Sequence, residues 1–377
     1  MKRQIPLSVP NLNINIVENL RECIETGWVS TGGRFIAEFE QKFAKYVGME
    51  SAVSTQSGTA GLHLALRTLG VGPGDQVIVP TLTFVAAVAP VLYQNAVPIF
   101  MDCDDSLCID ADKLEDYLKS NRGKAKAIIV VHIFGNMSNI EKIMDIAAKY
   151  DVKIIEDATE ALGTFITDGT YQGRHAGTIG DIGVFSFNAN KIITTGGGGM
   201  IVCRDRAMLE RMRHLSLTAK TDSLYFIHDE VGYNYRMLNL QAALGVSQMD
   251  ELECFVETKT RNYEQYKVEL SEVKGIRILP FRKDARSNHW FYSLLIDEGA
   301  LGINRNELMH KLIDEGIQCR PIWKLIHTLE PYKGFEAYRI EKAPYYESHI
   351  LNVPCSTNLK SEDVTYVCNK IKKMAGI

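Results

Sequence analysis

Lys191 sits in the stretch NKIITTGGGGM, residues 190–200, with four consecutive glycines, Gly196 to Gly199, starting five positions later. A loop lysine is ordinarily solvated. Here the flanking segments IGVFSF and GMIVC read as buried strands, and a lysine kept partly from water has a lowered pKa and becomes a nucleophilic amine. Ser186, five residues before it, can point a hydroxyl into the same space. A second candidate lies in KIIEDATEALG, where Glu156 and Asp157 end an otherwise apolar strand. A carboxylate there pays for desolvation unless a cation or several donors meet it; it serves equally as an N-cap for the turn that follows. A third is SGTAGLHLALRTLG, residues 57–70, where Ser57 and Thr59 precede an amphipathic run. Backbone N–H groups at a helix start, with two hydroxyls, suit a phosphate, although Ser and Thr cap ordinary helices in the same way.

The glycine run is not a nucleotide loop. In GxxxxGK[ST] the lysine follows the glycines, whereas Lys191 precedes them. A degenerate GxGxxG is present, but no strand–glycine–helix unit surrounds it, so a dinucleotide fingerprint fails too. Glycines in this place let the backbone turn with positive φ and approach a neighbour closely. A phosphate cup, a strand-end aspartate and a lysine beside a glycine turn together suit pyridoxal 5′-phosphate (PLP). The lysine would hold the aldehyde, and the aspartate would keep the pyridine nitrogen protonated.

The elements that must position these groups alternate in kind. QVIVP (76–80), VPIFMD (97–102), AIIVVHIFG (127–135) and VKIIEDA (152–158) read as buried strands. TFVAAVAPVLYQNA, DADKLEDYLKSN and NIEKIMDIAAKYD between them have helical spacing. This alternation predicts an α/β fold with a mostly parallel central sheet sandwiched by helices, and ligands collect beyond the carboxyl ends of such strands. Long helices follow residue 203, then GIRILP, HWFYSLLID and RNELMHKLIDEGI restart an α/β pattern. We expect a large domain with an N-terminal arm over residues 1–250 and a smaller α/β domain over 251–377, joined by the long helix before KGIRILP.

Bulk composition points to small-molecule chemistry. With 42 basic and 46 acidic residues the formal charge is −4, and no basic surface suggests nucleic acid. Eight scattered cysteines without a CxxC read as reduced thiols, not a disulfide framework or zinc site. The first 20 residues hold no apolar signal core, and no stretch reaches the roughly 20 apolar residues of a membrane span. A cytoplasmic protein is expected.

At this point the chain resembles the DegT/StrS sugar-nucleotide aminotransferases of the fold type I PLP class. The resemblance runs through GWVSTGG, SGTAGLHLAL, VIVPTLTFVA, VHIFGN, EDATEALG, GDIGVFSFNANKIITTGGGGM, GYNYRMLNLQAALG and RPIWKLIH, in order and correctly spaced. It implies that Lys191 is the Schiff-base lysine and proton carrier, and that Asp157 pairs with the pyridine nitrogen. Gly58, Thr59 and Ser186 would hold the phosphate, and Phe84 would stack on the ring. Glu160 falls near the 3′-oxygen, where relatives often carry Gln or His. His132 would lie beside the cofactor, or else pack at its strand end. In GYNYR, Asn234 would reach the phosphate of a second subunit, with Arg236 as a neighbour, giving a homodimer with shared active sites. Arg320, Trp323 and His327 of RPIWKLIH would meet the sugar nucleotide, and WVSTGG (28–33) could add contacts.

Retention of lysine where dehydratases of the family carry histidine implies transamination. The donor would be L-glutamate, leaving 2-oxoglutarate, and the acceptor a 4-keto-6-deoxy sugar nucleotide. GWVSTGGRFIAEFEQ, FMDCD and SFNANKIITTGGGGM most resemble the bacillosamine and legionaminic-acid branch, whose acceptor is a UDP- or GDP-linked 2-acetamido-4-keto-2,6-dideoxyhexose. The alternatives are a 3-keto acceptor on a dTDP carrier and a non-catalytic PLP- or sugar-nucleotide-binding regulator on the same scaffold.

Overall fold

The computed structural model describes residues 3–376. Eight strands form the main sheet, in the spatial order Val53–Thr55, Gly199–Cys203, Ile182–Ser186, Lys153–Asp157, Ala125–Val131, Gln76–Pro80, Val97–Met101 and Ala337–Tyr338. Every neighbouring pair is parallel except the two that involve Gly199–Cys203. The strands expected from β-branched runs are therefore present, and the sheet is mostly parallel, as the α/β alternation predicts.

Both faces are apolar because both are covered. Ile129, Ile155 and Val184 pack into one core cluster, while Ile128, Ile154 and Phe185 pack into another on the opposite side. Local signals set the helix starts. Ser57 Oγ accepts the Ala60 N–H at 3.1 Å at the start of helix Gly58–Thr68, and the Asp110 carboxylate accepts from Asp112 and Lys113 before Ala111–Ser120. All eight cysteines are unpaired thiols. No helix among the described residues is long and apolar enough to cross a membrane.

A second, antiparallel sheet has the order Ile276–Ile278, Tyr292–Ile296, Ile350–Val353, Arg320–Pro321. The 31-residue helix Asn239–Glu269 packs against Asn15–Thr26 and Arg34–Val47, and also against Ser361–Met374. The division expected at residue 250 thus falls inside one continuous helix. Two crossings bind the parts further. Near the N-terminus, Ile5 N–H donates to Gly316 O at 2.9 Å and Cys355 N–H to Leu7 O at 2.8 Å, so the arm assigned to the large domain is knitted into the smaller one. In return Ala337–Tyr338 pairs with Phe100–Met101 at the edge of the main sheet.

Candidate active site

A cavity of about 440 Å³ lies beyond the carboxyl ends of the parallel strands. Gly58, Thr59, Phe84, Asp157, Glu160, Ser186, Lys191, Arg320 and Trp323 of the sequence-derived set all line it. Its phosphate end is formed where three elements converge. A Cβ built on Gly58 would stand 2.8 Å from Thr159 Cγ2 and 3.1 Å from Ser186 Cβ, so the helix start, the turn after Asp157 and the end of Ile182–Ser186 meet at that glycine. The helix N-terminus brings its partial positive charge to the same place.

Lys191 enters from the loop after Ile182–Ser186 with its side chain only 12% exposed. Its Nζ lies 3.6 Å from Glu160 Oε1 and 3.9 Å from the centre of the Trp290 ring. Burial pushes the amine pKa down, against the opposing charges of Glu160 and Asp157. Burial likewise raises the Glu160 carboxyl to about 7, despite Lys191 and the Phe134 N–H that Glu160 Oε2 accepts at 2.7 Å. Asp157 is also raised by burial, with Thr159 and Lys191 opposing; its Oδ1 accepts the Thr159 N–H at 3.0 Å. An amine that gives up its proton readily thus stands beside a carboxyl that titrates near neutrality, a pairing suited to proton transfer.

Two residues expected beside the cofactor or substrate, His132 and His327, lie off the cavity. His132 does not line the cavity: it is completely buried, its Nδ1 accepts the Ser138 N–H at 3.2 Å, and its Nε2 meets Glu156 Oε2 at 2.8 Å. Both ring nitrogens are committed, so it is a packed strand-end histidine. His327 also lies off the cavity, with Nδ1 2.6 Å from Thr81 Oγ1 and its ring against Phe100. Asn234 is exposed, away from this chain's cavity, in backbone pairing with Leu217. Arg236 is buried on Glu40 at 2.6 Å.

Sequence reasoning missed other wall residues, among them Leu7, Thr83, Trp290, Phe291 and Asn352. Leu7 comes from the N-terminal arm, Thr83 from the loop after the strand Gln76–Pro80, and Trp290, Phe291 and Asn352 from the C-terminal part of the chain, far from Lys191 in sequence. The available signal was HWFY, a bulky aromatic run at the start of a strand, which reads as core.

These residues fit PLP. The Gly58 cradle, which a Cβ would fill, Asp157 and Lys191 share one cavity, and the aromatic rings of Phe84 and Trp290 line it with them. Gly58, Thr59 and Ser186 would hold the phosphate, Asp157 the ring nitrogen and Lys191 the aldehyde carbon. When bound, the cofactor supplies an electron-withdrawing ring that stabilises negative charge at the substrate carbon.

A buried lysine with flanking carboxyls in the strand-end crevice of a fold type I scaffold defines a PLP-dependent transferase. The model of the DegT/DnrJ/EryC1/StrS aminotransferase family matches residues 10–372, and the chain belongs to that family. It is similar to the GDP-perosamine synthase of Escherichia coli O157:H7, at 35% identity over 98% of each chain. Among solved structures it is similar to the aminotransferase TlmJ from Streptoalloteichus hindustanus, with TM-score 0.91, 29% identity and 99% of each chain covered. It is similar also to Spr1654 from Streptococcus pneumoniae in its PLP-form, with TM-score 0.91, 26% identity, and 99% of this chain and 99% of that one covered. The protein is a PLP-dependent sugar-nucleotide aminotransferase.

Proposed function

We propose that this enzyme transfers the amino group of L-glutamate to C4 of a nucleotide-linked 2-acetamido-4-keto-2,6-dideoxyhexose, giving a 4-amino sugar nucleotide and 2-oxoglutarate. The observation that carries the reading is the placement of Lys191 against Glu160 in a cavity that also presents Arg320 and Trp323. Lys191 Nζ moves the proton between donor or acceptor carbon and its neighbour, and Glu160 holds a proton beside it. Asp157 is the counter-charge on the cavity floor. Arg320 offers a guanidinium to the diphosphate, and Trp323, 5.9 Å from the half-exposed Phe84 ring, offers an apolar face to the sugar. Amination at C4 is supported by the relatedness to a synthase of perosamine, itself a 4-amino sugar. The motif resemblance admits UDP or GDP as carrier, and that relative's name favours GDP.

The site also needs a second copy in this reading. Leu224, Tyr225, Phe226 and Ile227 are exposed at the hairpin formed by Lys220–Asp222 and Ile227–His228, and Val231 is 79% exposed just beyond it. Ile14, Ile24 and Trp28 are further exposed apolar residues, near the N-terminus. A homodimer would cover this surface and carry Asn234 to the other copy's phosphate cup.

The test is incubation with glutamate and a panel of UDP-, GDP- and dTDP-linked 4-keto and 3-keto sugars, with the product identified by mass and NMR. Amination at C3 overturns the regiochemistry. Lys191→Ala should lose at least about 10³-fold in rate, as removal of a covalent and proton-carrying group does; retained glutamate turnover overturns the role of Lys191.

A further inference from the structure

Trp290 approaches the reactive amine from the C-terminal part of the chain and is held there on every side. It is 2% exposed, and Lys191 Nζ lies 3.9 Å from its ring centre. Its indole N–H donates at 2.8 Å to the carbonyl of Asn190, the residue that precedes Lys191. Ser8 Oγ donates to the same carbonyl at 3.2 Å. The Trp290 backbone is pinned as well. Its N–H donates to Phe134 O at 3.1 Å and Asn288 Oδ1 at 3.0 Å, and its carbonyl accepts from Lys259 Nζ at 3.0 Å. Lys259, itself 2% exposed on the long helix Asn239–Glu269, donates also to Cys355 O at 2.5 Å. A lysine withdrawn from water and bonded to two main-chain carbonyls acts as a peg between helix and loop, with Trp290 on its far side.

We propose that Trp290 is a positioning residue for Lys191: its ring face holds the ammonium form in the cavity, and its N–H fixes the backbone from which Lys191 projects. The proposal rests on the reading of Lys191 as the reacting amine. The groups facing Lys191 Nζ are two carboxyls, Glu160 and Asp157, and one aromatic face. An aliphatic wall would fill the same space but offer a desolvated ammonium nothing, whereas the negative face of an indole attracts it. The ring therefore opposes the loss of proton affinity that burial imposes, while Glu160 Oε1, 3.6 Å from the amine, remains the acceptor through which the proton leaves. In the cofactor-free chain the ring face favours the ammonium form, which passes its proton to Glu160 before the neutral amine can meet a carbonyl carbon.

The experiment uses the full chain freed of cofactor. Lys191 is acylated with isotope-labelled acetic anhydride across a pH series, and the peptide that carries it is quantified by mass spectrometry to give the midpoint at which the free amine appears. Trp290→Leu should lower that midpoint by about 0.5 to 1.5 pH units, the shift equivalent to loss of one desolvated cation–π contact. Trp290→Phe, which keeps a weaker face, should fall between leucine and tryptophan. Singly and multiply fluorinated tryptophans inserted at position 290 keep the shape and the N–H but drain the ring face; the midpoint should fall step by step with fluorine count. This series answers the question if the leucine variant does not fold. A midpoint that is flat across the fluorinated series overturns the proposal, and so does a folded Trp290→Leu chain with the wild-type midpoint. No substrate or cofactor enters the measurement, so its outcome is independent of the Lys191→Ala rate test.

Discussion

Glu156 and Asp157 are adjacent, and the alternation of a strand sends them to opposite faces of the sheet. Asp157 lines the cavity. Glu156, fully buried on the other face, meets His132 and accepts the N–H groups of Gly177, Ile179 and Gly180 at 2.8, 2.6 and 2.6 Å. Burial opposes its ionisation, but His132 and the backbone donors outweigh burial and hold its carboxyl below the usual range. Glu160 has fewer donors and titrates at about 7, above its ordinary 4.5. A carboxyl whose native pKa exceeds its unfolded one binds more protons when folded, so stability falls as pH rises from about 4.5 to 7. Glu160→Gln should remove that slope. In cofactor-free protein, denaturant unfolding between pH 5 and 8 should show wild type losing about 1–3 kcal/mol relative to the glutamine variant. Lys191, Asp157 and Ser186 were legible because each stands at a strand end or beside one, where type and spacing identify a ligand crevice. His132 shares that position, and its sequence context does not tell which face it takes. Trp290 and Asn352 were illegible because only long-range packing brings them to Lys191.

At the level of the element, the four glycines that look alike in sequence have different duties. Gly199 belongs to a strand whose backbone lies against the phosphate-end helix: a Cβ there would stand 2.6 Å from Ser57 C and O and 2.7 Å from Gly58 N. Gly198, at φ +133°, would place a Cβ 2.5 Å from Thr195 Oγ1. Gly197 meets nothing closer than 3.5 Å. Gly199→Ala should therefore push the helix N-terminus out of place and weaken PLP retention about 5- to 30-fold, an overpacking cost of about 1–2 kcal/mol. Gly197→Ala should retain cofactor as wild type does. Bound cofactor, read by its absorbance after dialysis, separates the two. The parallel strands and their helices were readable from periodicity. The two-residue edge strand Ala337–Tyr338 was not, because it is defined by its partner Val97–Met101 and carries no pattern of its own.

At the scale of the whole molecule, the exposed hairpin tip is where the proposed assembly can be tested. Tyr225 is 74% exposed and sits in the same segment as Asn234. In the proposed homodimer, Tyr225→Asp combined with Phe226→Asp should leave only monomer in light scattering. The monomer should lose cofactor on dilution, although neither residue lines this chain's cavity; a monomer that keeps PLP as tightly as wild type would show the site to be complete within one copy.

The outer strand of the main sheet, Ala337–Tyr338, is encoded more than a hundred residues after the strands beside it, and Trp290, Arg320 and Asn352 of the cavity wall are delivered late as well. Synthesis runs from the N-terminus, so a nascent chain that has already emerged past Lys191 holds its nucleophile with neither a finished sheet edge nor a roof. The order of synthesis thus leaves the cavity wall around Lys191 incomplete until Asn352 has been added, so a chain cut off before Trp290 carries the lysine without its aromatic neighbour.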